Sequence, residues 1–157
     1  MTTAVVEPWV ERPLHDFVRE SGAIIALLLH PSGQVMAQHG FARAVDVMSA
    51  CALAAAIHAS SAELGRTLDG RAFRELHHAG QERGIFLTES ETPRGRFLLL
   101  AVFDGATSLG IVRLYAEEFE TALAAAAPAV PVVHEPALAT NFERDLNRNL
   151  AALFGRA

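Results

Sequence analysis

The chain contains a run of seven consecutive apolar residues, Phe97-Leu-Leu-Leu-Ala-Val-Phe103. Successive side chains of a strand point to opposite faces of its sheet, so an unbroken apolar run predicts a strand that is buried on both faces. Such a strand lies at the centre of a sheet whose two faces are both covered by helices. The run therefore predicts a layered domain of the α/β (α+β) class.

Four other segments have the patterns of strands. Residues 23–29 are continuously apolar, and the turn residues Pro31-Ser-Gly33 separate them from residues 34–39, where polar and apolar side chains alternate. This arrangement predicts a hairpin. Residues 72–79 and 84–90 predict two more strands before the central strand at 96–104. Together these segments predict a central antiparallel five-stranded sheet.

Three segments have the patterns of helices. Pro13 suits the first turn of a short helix that ends at Gly22. Residues 44–64 are rich in alanine and contain neither glycine nor proline, which predicts a second helix. Residues 104–108 supply capping side chains for a third helix over residues 109–126. The predicted order is α-ββ-α-βββ-α, with helices on both faces of the sheet.

The alanine-rich helix is apolar on two sides, which indicates two packing partners. At about 100° per residue, Leu53, Ile57 and Leu64 lie on one side, and we expect them to pack against the sheet. Smaller side chains lie on the other side: Met48, Cys51, Ala52, Ala55, Ala59 and Ala62. These residues are then available to a second partner.

The composition of the chain changes after the third helix. Pro128, Pro131 and Pro136 predict a semi-extended linker over residues 127–140, after a domain formed by residues 1–126. Residues 141–157 predict a C-terminal amphipathic helix whose apolar side chains share one face: Phe142, Leu146, Leu150, Leu153 and Phe154. A helix of this length is marginal alone in water, so we expect it to dock on its own domain, on the dimer or on a partner.

The basic residues exclude several kinds of chemistry. All 13 are arginines, so the chain has neither the lysine of a Walker-type phosphate loop nor a Schiff-base lysine. The net charge of −5 argues against nucleic acid and anionic membranes as partners. Charged residues in the alanine-rich helix argue against a membrane span, and the N-terminus lacks a signal-peptide pattern. We therefore expect a cytoplasmic protein.

No motif for catalysis or metal binding is found. The seven histidines show none of the spacings of a zinc site. Ser108 lies in Gly105-x-x-Ser-x-Gly110, which differs from the G-x-S-x-G elbow of hydrolases, and helix capping explains it better. Cys51 is interpreted as a small packing residue. We expect no cofactor, no metal and no catalytic residue.

The segment from Leu99 to Leu114, with Phe103-Asp104 followed by Thr107-Ser-Leu-Gly110, closely resembles the strand-to-helix segment of roadblock/light-chain proteins. The resemblance extends over about residues 23–123, and the predicted element order matches the profilin-like fold of that family. Within the family the chain is most similar to the MglB-like GTPase-activating proteins of bacterial polarity systems. What the resemblance implies is a regulator and not an enzyme.

The resemblance also implies partners and contact residues. Such proteins dimerise, bind a Ras-like small GTPase and stimulate its GTP hydrolysis without inserting an arginine finger. The residues expected to bind the GTPase are Ala52, Ala55, Ala56, Ala59, Glu63, Phe142, Leu146 and Leu150. Those expected at the interface of a homodimer, or of a dimer with another roadblock chain, are Met48, Cys51, Ala62, Phe73, Leu76 and His78. Alternative functions are a non-activating scaffold that binds or localises a GTPase or another roadblock protein, and a ligand sensor of similar shape.

Overall fold

A computed structural model describes residues 3–41 and 43–130 of the chain. Its elements in chain order are β1 (Thr3–Val5), α1 (Pro8–Ser21), β2 (Ile25–Leu29), β3 (Val35–His39), α2 (Ala44–Asp69), β4 (Glu75–Ala79), β5 (Arg83–Thr92), β6 (Gly95–Asp104) and α3 (Leu109–Ala126). The predicted order of helices and strands is confirmed from α1 to α3. The predicted linker lies mostly, and the predicted C-terminal helix entirely, outside the described residues.

The strands form one antiparallel sheet in the order β1-β3-β2-β6-β5-β4. The apolar run lies in β6, between β2 and β5, as predicted; Leu100 has Leu27 on one side and Leu87 on the other. The five predicted strands are all present, and β1 adds a sixth at the edge, paired with β3. Sequence reasoning missed β1 because three residues are too few to show an alternating pattern.

One face of the sheet is covered by two helices. From β6 it receives Phe97, Leu99, Ala101 and Phe103. The residues that pack on them are Val10, Leu14 and Phe17 from α1 and Val112, Ala116, Phe119 and Leu123 from α3. Burial of each large side chain contributes roughly 1.5–3 kcal/mol, so this face holds most of the core.

The opposite face is covered by α2 alone among the described helices. Leu98 and Leu100 of β6 point to this side, together with Leu27 and Leu29 of β2 and Leu87 of β5. The buried side chains that α2 places on them are Val47, Cys51 and Ala54. This second cluster is smaller than the first because α2 contributes small residues to it.

The ends of two helices differ from the prediction. The first helix begins at Pro8, and Pro13 lies inside it. The second helix continues past the predicted end at residue 64 and stops at Gly70, whose φ of 70° is left-handed. Gly65 lies inside the helix and allows a close approach of the chain: a Cβ there would lie 2.5 Å from the backbone nitrogen of Phe73. The chain after α2 therefore turns back across the helix at this glycine.

Candidate functional site

The side of α2 that faces the sheet is lined by small residues. Cys51 and Ala54 are buried in the second cluster, whereas Leu53 and Leu64 are 63% and 53% exposed. The prediction that Leu53, Ile57 and Leu64 pack against the sheet is therefore wrong, although Ile57 partly contacts the second cluster. The buried contact with the sheet is therefore made by small side chains, without the leucines. The large apolar residues are left at the surface.

One flank of α2 carries a row of small exposed residues. Ala52, Ala56, Ala59 and Glu63 recur at helical spacing, and all four are exposed. We call these residues the alanine flank. Ala55 lies at its inner border and is half-buried against the second cluster. The structure thus leaves the α2 residues predicted to bind the GTPase accessible, except that Ala55 is partly covered.

At the end of this flank, charges are paired within the helix. Glu63 accepts a hydrogen bond from Arg66, with 2.9 Å between Oε2 and Nη1, and both side chains are more than half exposed. An exposed pair one helical turn apart contributes little to stability, about 0.3–0.5 kcal/mol. Both groups therefore remain free to exchange partners at a contact with another protein.

The other flank of α2 carries large apolar residues beside β4. Leu53, Ile57, Leu64 and Leu68 recur along it, and all except Ile57 are more than half exposed. We call these four residues the leucine flank. A groove of about 340 Å³ separates the flank from β4; its walls are formed by Ala56, Ile57, Ser60, Ser61, Leu64, Leu76 and His78. Exposed apolar side chains that line a groove are typical of a protein interface.

The residues predicted for the dimer interface divide into three groups. Leu76 and His78 lie in this groove, and Phe73 lies at the C-terminal end of α2. Met48 is 71% exposed, but the helical period places it in line with the alanine flank. Cys51 and Ala62 are only 1% and 7% exposed, so both are covered by the chain itself and offer no surface to a partner. The leucine flank, which was predicted to face the sheet, is instead the exposed apolar surface beside Leu76.

The two edges of the sheet differ. At one edge β1 pairs with β3, and at the other β4 pairs only with β5. The backbone groups on the outer side of β4 therefore have no strand partner within the described residues. A free edge next to an apolar groove can pair with a strand of another chain.

A partly buried polar contact joins α2 to the sheet. His58 Nε2 lies 2.9 Å from Oε2 of Glu89 on β5, and the two side chains are only 13% and 14% exposed. The other carboxylate oxygen of Glu89 lies 3.8 Å from Nη1 of Arg96. Sequence reasoning treated His58 only as a candidate metal ligand. Its spacing of seven residues from Cys51 places it on the inward side of the helix. This spacing is the feature of the sequence that could have predicted a contact between His58 and the sheet.

Comparison with solved structures identifies the fold. MglB of Myxococcus xanthus superimposes with a TM-score of 0.68 at 22% identity over 76% of this chain and 95% of its own. The gliding protein MglB of Thermus thermophilus gives 0.67 at 26% identity over 81% and 98%. A Roadblock/LC7 domain from Streptomyces avermitilis gives 0.61 at 16% identity over 69% and 89%. The chain has the roadblock fold.

The fold and resemblance predicted from the sequence are thus confirmed, and β1 is an addition to the predicted roadblock sheet. No family model and no curated protein matches the chain. The likeness to MglB therefore rests on the three-dimensional arrangement, since only 22% to 26% of the aligned residues are identical.

The residues considered for catalysis or metal binding have structural explanations in the part of the chain that the structure describes. Ser108 accepts a hydrogen bond from the backbone nitrogen of Ile111, 3.3 Å away, so it caps α3 as predicted. Burial raises the pKa of the Cys51 thiol, which keeps it protonated and a poor nucleophile. The described residues contain no group of three or more His, Cys, Asp or Glu side chains that could hold a metal ion.

By length and composition alone, the Asp46–Asp69 part of α2 would also be long and apolar enough to cross a membrane. A single helix of this kind is weak evidence for a span, because core helices of domains pass the same test. In this roadblock domain one side of the helix packs on a sheet, and most of the segment is not covered by the chain itself. Its apolar character is therefore concentrated on a surface that other proteins can reach.

Proposed function

We propose that the chain is a dimeric regulator that binds a Ras-like small GTPase of the MglA type and stimulates its GTP hydrolysis, and so controls cell polarity or motility. The observation that carries this proposal is the long helix α2, which exposes two different apolar flanks on a domain with the fold of MglB. Two different flanks suit two different partners.

The leucine flank and the free edge of β4 suit a second copy of the chain. Leu53, Leu64 and Leu68 are large and exposed, and they lie beside the groove that contains Leu76 and His78. Pairing of two such surfaces about a two-fold axis buries the leucines and satisfies the free strand edge together. One solved relative is described as MglB with a tetrameric arrangement, so assembly is recorded for that protein.

The alanine flank suits the GTPase. Small side chains at Ala52, Ala56 and Ala59 allow a backbone or helix of the partner to approach closely. Glu63 at the end of the row supplies one charge for orientation. A dimer presents two such flanks.

The stimulation acts through the catalytic groups of the GTPase itself. The chain has no lysine for a nucleotide loop, and its resemblance to MglB-like proteins implies that no arginine finger is inserted. GTP hydrolysis depends mainly on the position of the attacking water and on stabilisation of charge around the phosphates. Binding of the dimer accelerates the reaction by holding switch segments of the GTPase in the reactive arrangement.

The test begins with capture of the GTPase from a native lysate on the full chain. Light scattering then gives the mass of the free chain, and GTP turnover is measured as the dimer is added. We expect a dimer and a turnover rate that rises to a plateau. A complex without a change in turnover would instead establish the non-activating scaffold, and failure of any GTPase to bind would reject both functions.

Phe142, Leu146 and Leu150 form a second proposed contact with the GTPase. A chain that ends at residue 139 tests their role separately from that of α2. We expect this shorter chain to remain dimeric but to need a higher concentration for half-maximal stimulation. Unchanged affinity and unchanged stimulation would remove these residues from the site.

A further inference from the structure

The contact between His58 and Glu89 is the least exposed pairing of a basic with an acidic side chain among the described residues. Nε2 of His58 and Oε2 of Glu89 are 2.9 Å apart. Each of the other pairs, such as that of Arg19 with Glu20, includes at least one side chain that is more than a third exposed. Removal of either His58 or Glu89 leaves a partly buried polar group without this partner, whereas the members of an exposed pair are solvated by water.

Contacts within the sheet fix the position of Glu89 independently of His58. Its backbone nitrogen donates to the carbonyl oxygen of Arg74 at 3.0 Å, and its own carbonyl oxygen accepts from Nη2 of Arg74 at 3.4 Å. The same Nη2 donates to Glu120 of α3 at 3.3 Å. Arg96 lies near Oε1 and leaves Oε2 for the imidazole. The carboxylate is therefore a fixed acceptor that points to α2.

The second half of α2 has few buried contacts besides this one. Val47, Cys51 and Ala54 of the first half lie in the second cluster, and Ile57 is partly buried against it. Further along the inward side the residues are Ala55, His58, Ala62 and Gly65, and His58 alone of these extends a polar group to the sheet. Apolar contacts between small residues permit sliding and rotation, whereas a short contact between two polar atoms restricts the helix to one position.

We propose that the contact between His58 and Glu89 fixes the second half of α2 on the sheet and so holds both flanks in the geometry that their partners recognise. Neither residue touches a partner in this role. The contact acts from beneath the helix, and its effect appears at Leu64 and Leu68 on one flank and at Ala59 and Glu63 on the other. The part that concerns dimer formation rests on the proposed function.

Three variants of the full chain test the proposal. H58L removes the donor and keeps an apolar side chain, whereas H58Q places an amide nitrogen close to the position of Nε2 and keeps the donor. The matched control is H15L, because His15 also lies beside a carboxylate, at 3.6 Å from Asp16, but is 62% exposed. Amide hydrogen exchange of residues 55–69, global unfolding in urea and the dissociation constant of the dimer are measured for each.

In H58L we expect faster exchange over residues 55–69, on the order of tenfold relative to amides of α1 and α3, and dimer dissociation at roughly tenfold higher concentration. In H58Q we expect both the exchange rates and the dissociation constant of the dimer to return most of the way to their wild-type values. H15L should match the wild type in both. A role in general stability alone would change exchange everywhere in proportion to global unfolding, with no recovery in H58Q.

Equal exchange over residues 55–69 in H58L and wild type would overturn the proposal, and so would an H58Q variant that behaves like H58L. If H58L does not fold, E89Q replaces it; this change keeps an acceptor but removes the charge, and a smaller regional increase in exchange is expected. If the wild type is monomeric, the proposed dimer formation is rejected. The exchange measurement alone then decides whether His58 positions the second half of α2.

Discussion

The two faces of the sheet are covered in different ways. On one face, α1 and α3 insert large side chains such as Leu14, Phe17 and Phe119, and nearly all of them are fully buried. On the other face, α2 inserts small side chains and exposes its leucines. The first face is complete within one chain. The second resembles one half of an interface, because its helix presents apolar residues on the side away from its own core.

The comparison shows that the helices differ in where they place their largest apolar residues. In α3 the largest ones, such as Phe119 and Leu123, are buried in the first cluster. The buried residues of α2 are small or medium-sized: Val47, Cys51, Ala54 and Ala62. Most of its leucines therefore lie on the exposed part of the helix, where they form an apolar surface.

The largest effect should come from a change on the complete face. Replacement of Phe119 by Ala removes a side chain that is 2% exposed and whose ring centre lies 5.6 Å from that of Phe17. We expect the free energy of unfolding to fall by about 3–5 kcal/mol, independently of protein concentration. Urea unfolding at two protein concentrations measures it. L114A, at an exposed position of the same helix, is the control, and an equal loss in both variants would contradict this account.

The next effect concerns the leucine flank. Replacement of Leu64 by Asp places a charge on the groove beside Leu76, so the dimer should dissociate at a concentration at least about thirtyfold higher, which corresponds to about 2 kcal/mol. Sedimentation velocity gives the dissociation constant, and circular dichroism checks that the fold is retained. L114D makes the same change at an apolar residue of α3 with similar exposure. A dimer that is weakened equally by both variants would place the interface elsewhere.

The sequence was sufficient for the fold because long apolar patterns carry it. The run from Phe97 to Phe103 indicated a central strand, and the segment from Leu99 to Leu114 indicated the family resemblance. The orientation of α2 was not predictable in the same way. Both of its sides are apolar, so periodicity alone does not tell which side packs inward. The side with the larger residues was predicted to face the sheet, and the side with the smaller residues faces it instead.

Contacts between distant segments were also out of reach. The pair of His58 with Glu89 joins residues 31 positions apart, and no local pattern brings them together. The strand β1 pairs with β3 across the whole of α1, and its three residues carry no periodic signal. Both features depend on the tertiary arrangement, which a pattern of hydrophobicity specifies only in outline.

A smaller effect is expected on the alanine flank. Replacement of Ala59 by Arg introduces a long side chain where the proposed GTPase approaches closely, so the concentration for half-maximal stimulation should rise by roughly tenfold. The dimer should be unaffected, because Ala59 is exposed and is not one of the residues that line the groove. GTP turnover and sedimentation velocity are measured on the same samples. A122R, at an exposed alanine of α3, is the control. Loss of the dimer in A59R would show that the two flanks do not serve separate partners.

The smallest effect concerns the edge of the sheet that β1 covers. Burial lowers the pKa of His39, whose Nδ1 lies 2.7 Å from the hydroxyl oxygen of Thr3 on β1. The unfolded chain therefore binds the proton more readily than the folded one, so this contribution to stability is present above the ordinary pKa of about 6.5 and is lost as the pH falls through the folded pKa. Urea midpoints between pH 5 and pH 7.5 should decline less on acidification in H39Q than in wild type, whereas H77Q, at an exposed histidine, should follow the wild type. Identical pH dependence in H39Q and wild type would mean that β1 leaves His39 in a solvent-like environment, and that the covered edge is open at neutral pH just as the edge of β4 is.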